Sequence, residues 1–179
     1  KIFRTTNSGL SWVTKNISSG NGVFNFTNAQ FNSLLTGFVT GTYTDYYTYT
    51  SKHTVGYSID GGNNWNFKYS GLKNEISDFD LLSDSIMIST TQDGLILLSN
   101  DKSESWKFKM QEFNRNIYNL NFLDSSLGIA ACDSGYILKV TNNGEDFEQK
   151  YTGYNVPLSN ARILNEDFIY ATGNPADYC

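Results

Sequence analysis

Apolar residues in this 179-residue chain fall in short runs or alternate with polar ones, and no stretch keeps a 3.6-residue period beyond one turn. Leu95 to Leu98 and Ile129 to Cys132 are among the longest apolar runs. Both suit buried strands, and both are far short of the ~20 residues that span a bilayer. Around them the pattern repeats. Asp80 to Thr91, Asn121 to Cys132 and Arg162 to Gly173 each read as a short strand, a polar turn and an apolar strand. A glycine turn follows in the first two copies (Asp93-Gly94, Ser134-Gly135), and then a third strand, Leu95 to Leu98 or Tyr136 to Val140. A further turn leads into a fourth strand, such as Trp65 to Tyr69 or Trp106 to Lys109. The pattern therefore predicts an all-β chain of four-stranded units with almost no helix.

The turn between the third and fourth strands carries the clearest motif. Thr5-Thr-Asn-Ser-Gly-Leu-Ser-Trp12, Ser58-Ile-Asp-Gly-Gly-Asn-Asn-Trp65, Ser99-Asn-Asp-Lys-Ser-Glu-Ser-Trp106 and Val140-Thr-Asn-Asn-Gly-Glu-Asp-Phe147 share Ser/Thr, any, Asp/Asn, any, Gly, any, any, Trp/Phe. The departures are Val140 at the first place and Ser103 in the glycine place. The aromatics stand 53, 41 and 41 residues apart. Chemistry accounts for the residue types. Asn7, Asp60, Asp101 and Asn142 can accept the N–H groups of residues ahead in a tight turn. Gly9, Gly62 and Gly144 allow a positive φ there. Trp12, Trp65, Trp106 and Phe147 each open the fourth strand with a large ring to bury. These are fold-building roles.

The four segments resemble Asp-box (BNR) repeats, found in sialidases, sortilin-type receptors, xyloglucan hydrolases and the photosystem II assembly-factor family. The short period makes the chain most similar to the assembly-factor type. The resemblance implies a β-propeller of four-stranded antiparallel blades, each Asp-box forming the hairpin between strands three and four. It implies a half blade at 1–14, blades at about 20–69, 75–110 and 116–150, and a half blade at 160–179. That is four blades' worth of strands. They form either a closed ring or a segment of a larger one, and the larger ring is favoured because Asp177 to Cys179 occupy the register of Lys1 to Phe3. The motif specifies fold well and activity poorly.

Composition narrows the function. A net charge of −5 and a pI near 4.8 have the wrong sign for a surface that tracks phosphates, so no nucleic-acid partner is expected. One histidine and two cysteines cannot build the usual four-ligand cage, so neither metal nor cofactor is expected. A Cys132–Cys179 disulfide is open, as is a pair of small buried residues. Sequons at Asn16 and Asn25 matter only in a glycosylating host.

Catalytic constellations do not emerge. Arg4, Arg115 and Arg162 fall at three different places in the repeat, unlike a sialidase carboxylate clamp. Asp93 and Asp133 sit where turn formers belong, and a paired-carboxylate glycosidase would need two such groups held close. No Gly-x-Ser-x-Gly elbow is present.

Only the second blade breaks the period, by twelve extra residues within Gly41 to His53. Tyr43, Tyr46, Tyr47 and Tyr49 offer rigid amphipathic contact area there, while alternating Thr-Tyr also suits a lengthened hairpin. His53 lies where other blades have Gly94 and Gly135, and is read as a turn residue. With the four tyrosines it completes the candidate binding set. The expectation is a non-catalytic scaffold that acts outside the cytoplasm on another protein or an assembly. The rival is a carbohydrate-active propeller, lectin or sialidase-type hydrolase, that takes glycans.

Overall fold

A computed structural model describes residues 1–17, 20–110 and 113–174. It divides into two compact units, Lys1–Lys73 and Asn74–Cys179. In unit one, β1 (Ile2–Arg4) and β2 (Val13–Lys15) make a two-stranded antiparallel ribbon. There β3 (Gly22–Phe31), β4 (Gly37–Asp45), β5 (Ser51–Ser58) and β6 (Asn66–Tyr69) form a four-stranded meander. Unit two holds two more such meanders. One is β7 (Ile76–Leu81), β8 (Met87–Thr91), β9 (Ile96–Ser99) and β10 (Lys107–Met110). The other is β11 (Ile117–Asp124), β12 (Leu127–Cys132), β13 (Tyr136–Thr141) and β14 (Asp146–Tyr151). The ribbon of β15 (Leu158–Ile163) and β16 (Ile169–Gly173) follows.

The first three Asp-boxes are hairpin turns held by their own side chains, and the fourth is closed by the Glu145 N–H on the Thr141 and Asn142 carbonyls. In the second, the Ser58 hydroxyl donates to Asp60 Oδ1 at 2.9 Å and accepts the Gly62 N–H at 2.8 Å. Asp60 Oδ1 also accepts the Asn64 N–H at 2.8 Å, and its Oδ2 accepts Asn64 Nδ2 at 2.7 Å. The third box repeats this with Ser99, Asp101 and Ser105, and the first with Thr5, Asn7 and Ser11. The left-handed bend takes two residues, not one: Ser8 and Gly9, Gly61 and Gly62, Lys102 and Ser103, Asn143 and Gly144 all have positive φ. Ser103 holds the glycine place at φ +63. In the fourth box Val140 brings no hydroxyl, and Asn142 itself turns left-handed at φ +53.

Two details of the aromatic place differ from expectation. Trp12, Trp65 and Trp106 stand one residue ahead of their strands, because the turn closes on them, while Phe147 lies inside β14. Trp12 is 60% exposed on its two-stranded ribbon, so this ring does not bury the area its counterparts do.

Unit two carries a cross-blade zipper that joins the first strands of its successive sheets, β7, β11 and β15. Asp78 Oδ2 on β7 accepts the Leu120 N–H at 2.9 Å and Asn119 Nδ2 at 2.8 Å, both from β11. Asp80 Oδ2 accepts the Phe122 N–H. One blade on, Asn119 Oδ1 accepts the Ala161 N–H at 2.9 Å and Asn121 Oδ1 the Ile163 N–H at 3.0 Å, both from β15. Edge N–H groups that a sheet leaves open are thus met by side chains of the preceding blade, from positions 41 residues apart (Asp78 and Asn119, Asp80 and Asn121), an echo of the box period. Between the strands the core is aliphatic: Ile88, Ile96, Ile117, Ala130, Leu138 and Val140 are fully buried. Cys132 belongs to this core as a free thiol, with burial pushing its pKa up to about 12. The proposed partner Cys179 lies outside the described residues.

Candidate functional site

The extra residues of the second blade build a longer hairpin, not a loose loop. β4 and β5 stay paired from Gly37↔Ser58 through Thr44↔Ser51, and β3 follows β4 as far as Gly22↔Asp45. At the tip, Asp45 Oδ1 accepts the N–H groups of Tyr47 at 2.8 Å and Thr48 at 2.9 Å. Those two bonds hold the Asp45 carboxyl below the usual range, Thr48 contributing most. The Asp45 N–H closes the turn on the Thr50 carbonyl at 3.0 Å. Thr48 and Thr50 hydroxyls meet at 2.8 Å, and Thr44 and Ser51 hydroxyls at 2.9 Å. Tyr46 is pinned by its N–H to the Asn21 carbonyl at 2.9 Å.

The fixed turn displays rings to solvent. Tyr46 is 59% exposed, Tyr47 77% and Tyr49 86%. Tyr49 sits at φ +53, the one aromatic residue with positive φ among the described residues. That region is costly for a bulky side chain, and strain of this kind gathers at functional sites.

Two members of the expected set behave differently. Tyr43 is buried, its ring packed against Phe24 at 5.2 Å and Tyr69 at 6.0 Å. Burial raises its phenol pKa, with Asp45 adding to the effect. It anchors the hairpin, with 9% of its surface left exposed. His53 is a strand residue paired with Thr42, not a turn residue, because the hairpin runs on where other blades turn at Gly94 and Gly135. Its ring is half-buried, and its carbonyl accepts the Ser70 N–H at 2.9 Å.

Under the tip runs a pavement of rings along one sheet face: Phe31, Trp65, Phe67, Phe26, Phe24, Tyr43. Phe24 and Phe67 stack at 4.6 Å, although they come from opposite edge strands. Glycines in the two central strands make this crossing possible. A β-carbon at Gly56 would stand 2.5 Å from the Phe67 ring, and one at Gly41 would stand 2.1 Å from the Asn25 carbonyl oxygen. The pavement ends at Tyr69, with Lys52 Nζ 4.8 Å from its ring centroid. Tyr43, Asp45, Lys52 and Tyr69 border a shallow cavity of about 480 Å³ beneath the turn. Asp45 and Lys52 were not singled out by composition or spacing; the one legible sign was an Asp followed by a polar turn run.

Asp93 and Asp133 are turn residues, as their places in the repeat imply. Asp93 accepts from the Thr91 hydroxyl at 2.5 Å, and Asp133 from the Asn116 N–H at 3.1 Å. No group of three or more His, Cys, Asp or Glu that could hold a metal occurs among the described residues, nor any helix long and apolar enough to cross a membrane.

Four-stranded antiparallel meanders that turn on Asp-box hairpins are the blades of a β-propeller. Solved structures share the fold. YCF48 bound to D1 peptide superposes with a TM-score of 0.71 over 97% of this chain and 55% of that one, at 17% identity. YCF48 from Cyanidioschyzon merolae gives 0.67 over 96% and 60%, at 13% identity. The chain is thus similar in fold to the assembly-factor propellers that its repeats resemble, and spans somewhat over half the length of each. No protein-family model and no curated protein matches it.

Proposed function

We propose that this chain is a non-catalytic propeller scaffold, acting outside the cytoplasm, that captures a protein partner on the tyrosine hairpin of its second blade. The observation that carries the reading is the tip itself: three exposed tyrosines on a turn fixed by Asp45. Tyrosine supplies large contact area at low conformational-entropy cost, and a fixed turn reduces what binding must order. The solved complex of YCF48 with D1 peptide, a structure similar in fold to this chain, supports a peptide-binding reading. The acidic, Asn/Thr/Tyr-rich composition supports the extracytoplasmic setting.

The test replaces Tyr47 with a photo-crosslinking phenylalanine analogue and compares capture with that of a Tyr46→Ser/Tyr49→Ser variant. A discrete crosslinked protein partner, lost at least tenfold in the variant while its melting is unchanged, is the expected result. Equal capture by a folded variant overturns the hairpin as the site. Selective retention on a glycan array, or turnover of sialyl or glucan substrates, would instead establish the carbohydrate-active reading.

A further inference from the structure

A second feature of unit one lies on the ribbon that carries the first Asp-box. The register of β1 and β2 sets Ile2 opposite Lys15 and Arg4 opposite Val13, all on one face. The four side chains form a checkerboard, with cations on one diagonal and aliphatics on the other. They line a cavity of about 370 Å³, closed on another side by Asn63 and Asn64 of the second box. None of the residues lining this cavity is acidic, although the chain carries a net charge of −5.

Arg4 is held in place. Its Nη1 donates to Asn63 Oδ1 at 2.8 Å, and Asn63 Nδ2 donates to the Asp60 carbonyl at 2.7 Å. Asp60, the acid of the adjoining box, turns its carboxylate into that box, where Ser58 and Asn64 occupy it. Neither Arg4 nor Lys15 has an ion pair among the described residues. Most of Arg4's five N–H donors, and the Lys15 ammonium, remain for a ligand.

From this geometry we infer that the Arg4–Lys15 cavity binds an extended peptide segment carrying two glutamates at positions i and i+2. Diagonal cross-strand neighbours lie ~7–8 Å apart. Alternate residues of an extended strand project on one face roughly 6.6 Å apart. The two spacings match, so each carboxylate meets one cation while the glutamate methylenes lie over Ile2 and Val13. Adjacent glutamates point to opposite faces and present only one. The site stands apart from the tyrosine hairpin, and its fate is independent of that reading.

The test titrates the full chain, followed by amide-resolved NMR, with acetyl-Thr-Glu-Val-Glu-Thr-amide. Its comparators are the Gln-Val-Gln peptide and acetyl-Thr-Glu-Glu-Val-Thr-amide. Saturable shifts at Arg4, Val13, Lys15, Asn63 and Asn64 are expected, with binding at least tenfold weaker for both comparators and falling as salt rises. Lys15→Glu, at an exposed strand position whose folding the same spectra report, is expected to lose binding at least tenfold. The Tyr46→Ser/Tyr49→Ser variant is expected to bind the peptide as the parent does. Equal binding of the neutral peptide, equal binding of the adjacent-glutamate peptide, or undiminished binding by folded Lys15→Glu overturns the assignment.

Discussion

The four-stranded sheet of unit one and the two of unit two share strand order and a box between their third and fourth strands, yet they are filled with different materials. Unit two packs fully buried aliphatic side chains and joins its blades by carboxylate and amide rungs. Unit one paves a sheet face with rings that stack on one another and stay partly open to water, over glycines in the central strands. The box fixes the hairpin in both, so what varies is the material around it. In unit two, branched aliphatics give dense packing. In unit one, under the long β4–β5 hairpin, rings supply contact area without needing enclosure.

The largest expected effect tests the glycines that let the rings cross. Gly41→Ala brings a β-carbon to 2.1 Å from the Asn25 carbonyl oxygen, a clash with backbone that no rotamer relieves. A loss of about 3 kcal/mol or more is expected in urea unfolding. Gly71, at φ +71 with nothing within 4 Å, is the control, and its alanine variant is expected to lose only the ~1–2 kcal/mol of a left-handed backbone. Equal losses would show that the pavement does not depend on the close approach.

Next comes the contrast of fillers. Leu138→Ala removes a fully buried side chain and is expected to lose about 2–5 kcal/mol. Phe67 is half-buried, and its alanine variant is expected to lose roughly half of the ~3–5 kcal/mol of an enclosed phenylalanine, despite the larger ring. A reversed order would mean that the rings are enclosed core and that the two blade types do not differ in kind.

The fold was legible because the box is local. Ser/Thr, Asp/Asn and the left-handed residues complete their hydrogen bonds within five positions, so the sequence shows the turn almost directly. The tyrosine hairpin was legible as an irregularity in the period, but not in its internal geometry. Whether Tyr43 faces neighbours or water depends on Phe24 and Tyr69, from β3 and β6, and no local pattern reports that pairing. His53 was misplaced for the same reason, since counting from the box assumes a turn length that the insertion changes. The Arg4–Lys15 checkerboard needed the strand register, which an eight-residue box between two three-residue strands does not reveal.

The zipper sets a middle-sized effect. Asp78→Ala leaves the Leu120 N–H and Asn119 without their carboxylate, and an unmet buried donor costs ~1–3 kcal/mol. Hydrogen exchange at the Leu120 amide is expected to speed up well beyond that at Leu138, which sits two strands away in the same sheet. Uniform acceleration would mean that the rung serves only global stability and does not hold one strand edge.

The smallest effect is electrostatic and separates the acidic boxes from the amide ones. The Asn64 backbone N–H, then its side chain, hold the Asp60 carboxyl at about 2, against an ordinary 3.8. Asp101 is lowered in the same sense, chiefly by Ser105. A depressed folded-state pKa contributes stability that is present above the unfolded value and lost as pH falls through the folded one. The Asp60 box should therefore weaken between about pH 4 and pH 2, and the Asp101 box should weaken in the same direction as pH falls, while the Asn7 and Asn142 boxes have no proton to gain. Carboxyl NMR is expected to show Asp60 titrating near 2, and Asp60→Asn to flatten part of the acid dependence of the melting temperature. Because Asp60 stands at the surface, water and salt screen the effect, and the shift in melting is expected to be slight. A titration at the ordinary value would mean that the bonds to Asn64 do not persist in solution, and the second box would then be held by Ser58 and its glycines alone.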